Sequence, residues 1–183
     1  MRAGSASEPL GGPLPAMPLP KNPQVRLVKM FDRPGFLLRR AHQISAGVFE
    51  EECRDIGLTP AQFAVLTVLA ASPGIDQSSL ARSAGYDKVT IMYILRGLIE
   101  RGFVNRSPAP GRRRLLELSL TDDGAAFLET AQKPTEQAFA SLMSPFTDVQ
   151  KKQFVKLLKI LTTTLEDKAR APLSQPVGAD SQV

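Results

Sequence analysis

Apolar residues recur along this chain at two different spacings. In several blocks between residues 36 and 165 they return every three or four positions, which is the period of an amphipathic helix. Between residues 116 and 120 they alternate with polar residues, which is the period of a half-buried strand. The chain is therefore predicted to be mainly α-helical, with one small β-hairpin.

Capping residues mark where several of these helices begin. Thr59 is followed by Pro60 and Gln62, and Thr147 is followed by Gln150, so each threonine can start a capping box. Asp76, Asp87 and Thr121 are suited to cap further helices. We predict helices over residues 36–55, 59–71, 76–85 and 87–102, and two more starting at 121 and 147. Proline within the helix that starts at 121 is expected to kink or divide it at Pro134.

The helix over residues 87–102 has two unlike faces. At about 100° per residue, the core face carries Ile91, Ile94, Leu95 and Leu98. The opposite face carries Val89, Tyr93, Arg96 and Glu100, with Lys88 and Thr90 beside them. From this helix alone, the second face is either an ordinary solvated surface or a surface that contacts a partner.

A basic hairpin follows this helix. Strands are predicted at 103–105 and around 116–120, with a turn between them. Four arginines lie within one short segment, namely Arg106, Arg112, Arg113 and Arg114. The net charge of +5 and the pI of about 9.6 suit a polyanionic partner without establishing one.

Composition excludes several classes of protein. At 183 residues, with 43% hydrophobic and 22% charged residues, the chain is expected to form one domain. No apolar run is long enough for a membrane span and no signal peptide is evident, so we expect a cytoplasmic protein. One cysteine and one histidine, Cys53 and His42, leave too little for a disulfide, a metal site or a catalytic set. We therefore expect neither enzymatic activity nor a cofactor.

The order of these elements is that of a winged helix-turn-helix domain flanked by helices. The strings "GLTPAQFAVL", "LIERGFVNR" and "LTDDGAAFL" together resemble the MarR family of bacterial transcriptional regulators over roughly residues 36–165. One departure is Arg112, where the family usually carries an aspartate two residues before its key wing arginine. We predict these regions: an arm at 1–25 and a tail at 171–183, both proline-containing and disordered; helical dimerisation segments at 26–57 and 122–170; and a DNA-binding domain at 58–121.

The resemblance implies a homodimer that binds a pseudo-palindromic operator in double-stranded DNA, usually as a repressor. A stripe in the last helix agrees with dimerisation, although it could instead pack on the chain's own first helix; it comprises Phe154, Leu157, Leu158, Leu161 and Leu165. Groove contacts carried over from the family fall on Lys88, Val89, Thr90 and Tyr93. Phosphate contacts fall on Arg96, Ser78 and Ser79. The wing residues Arg112, Arg113 and Arg114 are expected in or beside the minor groove, whereas Glu100 and Arg101 are interpreted as simple surface charges.

The resemblance also implies a small aromatic carboxylate as effector. The segment "FLLRRAHQISAGVFEEE" is similar to the first helix of relatives that control aromatic-acid breakdown. Arg40 is a candidate partner for the effector carboxylate and His42 for a ring hydroxyl or nitrogen. Alternatively, both belong to a surface cluster or make dimer contacts. A redox switch through Cys53 is the alternative function, although a buried and inert thiol is favoured.

Overall fold

The computed structural model describes residues 21–109 and 112–173, with the side chains of residues 109–115 left undescribed. It is mainly helical with a small antiparallel sheet, so the predicted fold class is confirmed. The helices are α1 (Pro23–Phe31), α2 (Pro34–Glu52), α3 (Pro60–Ala71), α4 (Gln77–Ala84), α5 (Lys88–Glu100), α6 (Asp122–Met143) and α7 (Asp148–Thr164). The strands are β1 (Ile75–Asp76), β2 (Val104–Ala109) and β3 (Arg112–Leu120). Short 3-10 helices span Arg54–Ile56 and Glu166–Lys168.

Both predicted capping boxes are present. The hydroxyl oxygen of Thr59 accepts a hydrogen bond from the amide of Gln62, and the Gln62 side chain accepts one from the amide of Thr59. Thr147 and Gln150 form the same reciprocal pair at the start of α7. These local contacts satisfy amide groups that would otherwise lack partners at a helix start.

Strand β1 was not predicted, because its two residues carry no alternating pattern. It pairs with β3 through Ile75 opposite Leu118 and Asp76 opposite Glu117, so the sheet order is β1-β3-β2. Since Asp76 also caps α4, this pairing fixes the start of α4 beside the hairpin formed by β2 and β3, which we call the wing.

The chain divides into two compact units between His42 and Gln43. In the first unit, the rings of Phe31 and Phe36 meet edge to face at 5.1 Å, and the guanidinium of Arg39 lies 5.0 Å from the centre of the Phe36 ring. The second unit holds the hydrophobic core, built from the end of α2, helices α3 to α6 and the sheet. Its fully buried large side chains include Leu58, Val65, Leu66, Leu69, Leu80, Ile91, Leu95, Leu98 and Leu118.

Two features differ from the sequence prediction. Helix α1 begins at Pro23, inside the predicted arm, because the side chain of Asn22 accepts from the amide of Gln24 and proline suits the first helical position. Residues 1–20 of that arm and residues 174–183 of the predicted tail lie outside the described residues. Helix α6 runs through Pro134 as one helix, so the proline does not divide it, and the alternative of a kink stays a prediction.

Candidate nucleic-acid interface

Asp87 holds the start of α5. One carboxylate oxygen accepts from the amides of Val89 and Thr90, each at 2.9 Å, and the other accepts from the Thr90 hydroxyl at 2.7 Å. The hydrogen bond from the Thr90 side chain, followed by those from the backbone, lowers the pKa of Asp87 below its ordinary value. The Thr90 hydroxyl already donates its proton to Asp87, so toward DNA it can only accept.

The remainder of α5 separates a buried face from an exposed one. Ile91, Leu95 and Leu98 are fully buried, as the helical period predicts. Val89 and Tyr93, one turn apart, are 60% and 63% exposed, and Lys88 is also exposed. Met92 is 47% exposed on the neighbouring side, where the sequence pattern pointed to no residue. The first two turns of α5 therefore present a continuous exposed surface with a cation, an aromatic ring and apolar side chains.

Arg96 has a partner on its own helix. Its Nε atom lies 3.1 Å from a carboxylate oxygen of Glu100, and both side chains are largely exposed. An exposed pair one helical turn apart contributes only about 0.3–0.5 kcal/mol. If Arg96 left the Glu100 carboxylate to bind a DNA phosphate, the loss of this pair would therefore cost little free energy.

The start of α4 is already occupied by a carboxylate. Asp76 accepts from the amides of Ser78 and Ser79 at 2.8 and 3.1 Å, and from the Ser79 hydroxyl at 2.6 Å. The Ser79 hydroxyl also accepts from Arg82 at 3.0 Å. The hydrogen bond from the Ser79 side chain is the largest of the effects that lower the pKa of Asp76. The amides expected to bind phosphate thus have a carboxylate partner, which leaves the Ser78 hydroxyl as the candidate contact at this helix start.

A contact between the wing and α4 was not predicted from the sequence. The Nη2 atom of Arg106 donates to the Oε1 atom of Gln77 at 2.9 Å. Arg106 lies opposite Leu118 in the sheet, and Leu118 lies opposite Ile75, so β1 and β2 flank the same residue of β3. The basic cluster in the sequence included Arg106, but its partner depends on a strand pairing that sequence does not reveal.

The wing arginines 112–114 lie in β3, with Arg112 paired to Ala109 beside an irregularity in the ladder. The structure does not describe the side chains of these three arginines, so their predicted contacts with the minor groove stay predictions. The backbone nevertheless continues the wing to this point, because β2 and β3 pair from Val104 opposite Leu120 to this end of the hairpin.

The sequence prediction that Arg101 is a simple surface charge is wrong. Its guanidinium donates to the carbonyl oxygens of Gly57 at 2.8 Å and Ile56 at 3.0 Å. It also lies over the rings of Phe103 and Phe127. Except for Phe103, these partners are distant in sequence, so helical periodicity could not have identified them.

The effector candidates lie in the first compact unit. Arg40 and His42 are both exposed on α2. A separate cavity of about 410 Å³ lies between α3 and α6 in the second unit. Among its described lining residues the charged ones are Glu129 and Glu136, which do not favour an anionic ligand. This cavity therefore does not account for a carboxylate effector.

Cys53 is fully buried. Burial, and secondarily the charge of Glu52, raises the pKa of its thiol. Because the thiolate is the reactive form, this environment favours the inert thiol over a redox switch.

Two features are absent from the part of the chain that the structure describes. Within residues 21–109 and 112–173, no three or more histidine, cysteine, aspartate or glutamate side chains are placed so that they could hold a metal ion together. Over the same ranges, no helix has the length and apolar character needed to cross a membrane.

Comparison with known proteins identifies similar regulators. The sequence profile of the MarR family matches residues 56–115, which include α3, α4, α5 and β2. The transcriptional repressor NicR of Pseudomonas putida is 34% identical over 115 residues, covering 61% of this chain and 73% of NicR.

Two solved structures are similar in fold. BpsR of Bordetella bronchiseptica, whose DNA binding is regulated by 6-hydroxynicotinic acid, is 28% identical with a TM-score of 0.68, covering 72% of this chain and 94% of BpsR. The transcriptional repressor CouR, bound to a 23-mer DNA duplex, is 29% identical with a TM-score of 0.69, covering 73% of this chain and 95% of CouR. The likeness therefore extends well beyond the helix-turn-helix segment.

Proposed function

Because the chain belongs to the MarR family of transcriptional regulators, we propose that it is a repressor that binds a pseudo-palindromic operator as a homodimer and is released by a small aromatic acid. Its relatives are regulators, so the chain is a regulator rather than an enzyme. The observation that carries the proposal is the exposed surface on the first two turns of α5. We propose that the protein binds its operator in the cytoplasm.

The proposed DNA contacts follow from the chemistry of each side chain. Lys88, Val89 and Tyr93 face the major groove, and Thr90 accepts a hydrogen bond there. Phosphate is contacted by Arg96, once it leaves Glu100, and by the Ser78 hydroxyl, whereas Ser79 remains bound to Asp76. The wing arginines 112–114 provide positive charge at the minor groove, whose negative potential attracts arginine.

The proposed dimer rests on apolar surface that one chain leaves uncovered. No residue of α7 is buried, and Leu157, Leu161 and Leu165 are 57%, 38% and 49% exposed. Apolar surface concentrated in this way usually marks an interface. We propose that a second copy covers this stripe.

The proposed effector site contains Arg40 and His42. A carboxylate that leaves water needs a cationic partner, and the planar guanidinium of Arg40 can bind it through two hydrogen bonds. His42 would bond a hydroxyl or nitrogen on the ring. BpsR, which responds to 6-hydroxynicotinic acid, supports an effector of this kind.

Gel-shift titration of the protein on DNA from upstream of its own gene tests this proposal. We expect a single dimeric complex, with 6-hydroxynicotinic acid and salicylic acid as the first release probes. Arg40→Ala and His42→Ala should keep dimerisation and DNA affinity but should no longer be released by a probe that is effective on the wild type. Arg39→Ala is the matched control, because the Arg39 guanidinium lies over the Phe36 ring, and it should still respond.

Different failures point to different parts of the proposal. If both variants respond at the wild-type probe concentration, the effector binds elsewhere. Monomeric Arg40→Ala and His42→Ala proteins would instead assign these residues to the dimer interface. Equal loss of DNA binding by wild type and Cys53→Ser in peroxide would argue against the redox alternative, whereas a loss confined to wild type would favour it.

A further inference from the structure

The turn after α5 is held by the start of α6. The Thr121 hydroxyl donates to the carbonyl of Gly102 at 2.7 Å, and the Thr121 amide donates to the carbonyl of Phe103 at 3.1 Å. Gly124 approaches the same Phe103 carbonyl so closely that a Cβ atom would lie 2.1 Å from its oxygen. The first turn of α6 therefore lies directly against residues 102–103.

Arg101 joins this turn to the chain that precedes α3. Its Nη1 and Nη2 atoms donate to the carbonyls of Gly57 and Ile56, two consecutive residues at the end of a 3-10 helix. Gly57 has a φ of 59°, in the left-handed region, and this turn brings both carbonyls toward one guanidinium. A lysine ammonium lacks the planar fork needed to bind both in this way.

The same guanidinium rests on a pair of stacked rings. The rings of Phe103 and Phe127 are 4.3 Å apart and inclined by only 13°. The guanidinium carbon of Arg101 lies 4.7 and 4.9 Å from the two ring centres. Because these distances are nearly equal and close to the separation of the rings, the guanidinium packs against the side of the stack and contacts both rings. One side chain thus contacts three segments: residues 56–57, the turn after α5, and α6.

We propose that Arg101 is a positioning residue that sets the tilt of α5 and so aligns its exposed surface with DNA. Arg101 caps the C-terminal end of α5, whereas the DNA-facing residues lie at the other end. A helix of 13 residues is about 20 Å long, so a tilt of about 5° moves its first turn by nearly 2 Å. A shift of that size exceeds the distance tolerance of a hydrogen bond to a base. This inference rests on the proposed DNA-binding function.

The test compares Arg101→Met, which removes the charge and the fork, with Arg101→Lys, which keeps the charge alone. Arg96→Met is the matched control on the same helix, because Arg96 contacts Glu100 rather than the Arg101 cluster. Affinity for upstream DNA is measured across a range of salt concentrations, at a temperature where circular dichroism shows each variant fully folded. Hydrogen exchange is followed in peptides covering residues 54–58 and 96–103, without DNA.

We expect Arg101→Met to bind the operator at least about fivefold more weakly, the lower end of usual coupling between sites. Its salt dependence should equal that of the wild type, since every phosphate contact is retained, whereas Arg96→Met should bind with a shallower dependence. Arg101→Lys should recover part of the affinity. Exchange at residues 54–58 should accelerate in Arg101→Met.

Wild-type affinity in Arg101→Met would overturn the proposal. A salt dependence as shallow as that of Arg96→Met would also overturn it, because Arg101 would then be a phosphate contact. Failure of the wild type to bind upstream DNA would count against the proposed function, while unchanged exchange at residues 54–58 would independently overturn the positioning role. Combining Arg101→Met with Phe127→Leu should cost no more affinity than the larger single loss, and full additivity would contradict a shared mechanism.

Discussion

Replacement of Gly124 by alanine should destabilise the protein, although alanine is the better helix former. The new methyl carbon would lie 2.1 Å from the carbonyl oxygen of Phe103 and 2.9 Å from the carbonyl carbon. An ordinary contact between carbon and a carbonyl oxygen is about 3.3–3.6 Å. The start of α6 must therefore withdraw from the turn after α5 by more than about 1 Å, because both sides of this contact are backbone.

Moving the start of α6 away from the turn after α5 lowers the free energy of unfolding. It breaks the two hydrogen bonds from Thr121 to Gly102 and Phe103, each contributing about 1 kcal/mol. It also separates the stacked rings of Phe103 and Phe127, which contribute about 1 kcal/mol beyond their burial. Alanine returns up to about 1 kcal/mol through its helix propensity. The net loss in the free energy of unfolding is about 2 kcal/mol.

Urea unfolding at one fixed protein concentration measures this loss. With a denaturant dependence of about 2 kcal/mol per molar urea, the midpoint should fall by about 1 M. Gly97→Ala is the matched control: Gly97 also lies within a helix, but a Cβ there has no neighbour within 4 Å, so this variant should gain about 0.5–1 kcal/mol. A midpoint for Gly124→Ala at or above that of the wild type would refute the close-approach argument.

Three other predictions concern the DNA-facing surface. Tyr93→Ala should lose about 1–3 kcal/mol of binding to the operator but little to random DNA, whereas Arg96→Ala should weaken both alike in the same gel shifts; wild-type operator affinity in Tyr93→Ala would show that the surface was misassigned. Neutralising residues 112–114 together should flatten the salt dependence by up to about one unit of log-log slope for each phosphate that the wing no longer neutralises, and an unchanged slope would place the wing tip away from DNA. The lowered pKa values of Asp76 and Asp87 mean that these caps stabilise the fold above about pH 4 and lose that effect as pH falls through the folded-state pKa; Asp87→Asn should therefore show a shallower loss of thermal stability on acidification, and identical pH profiles would contradict the cap assignment.

The features that could be predicted best from the sequence are those that depend on residues close together along the chain. The capping boxes at Thr59 and Thr147 were predictable because each involves residues three positions apart. The faces of α5 followed from helical periodicity, and burial of Ile91 and Leu95 confirms them. Helix α1 escaped prediction because the many prolines before it obscured the capping signal of Asn22.

Contacts between distant segments were not predictable. The motif that contains Gly124 resembles that of the family, but the reason for glycine is its approach to Phe103, 21 positions earlier. The partners of Arg101 lie 44 and 45 residues away, and Gln77 lies 29 residues from Arg106. Such pairs form only after the sheet and helices have assembled, so no local pattern encodes them.

The carboxylate caps of α4 and α5 also bear on how such a protein would search a genome. Asp76 and Asp87 are ionised at neutral pH, and hydrogen bonds lower both pKa values further. They place two negative charges beside the proposed DNA-contacting residues of a protein whose net charge is +5. Random DNA offers phosphates that repel these charges, and a correct site compensates through contacts from neighbouring side chains. In the proposed binding mode these two charges oppose binding to any sequence alike, so a larger share of the affinity must come from contacts that depend on the base sequence.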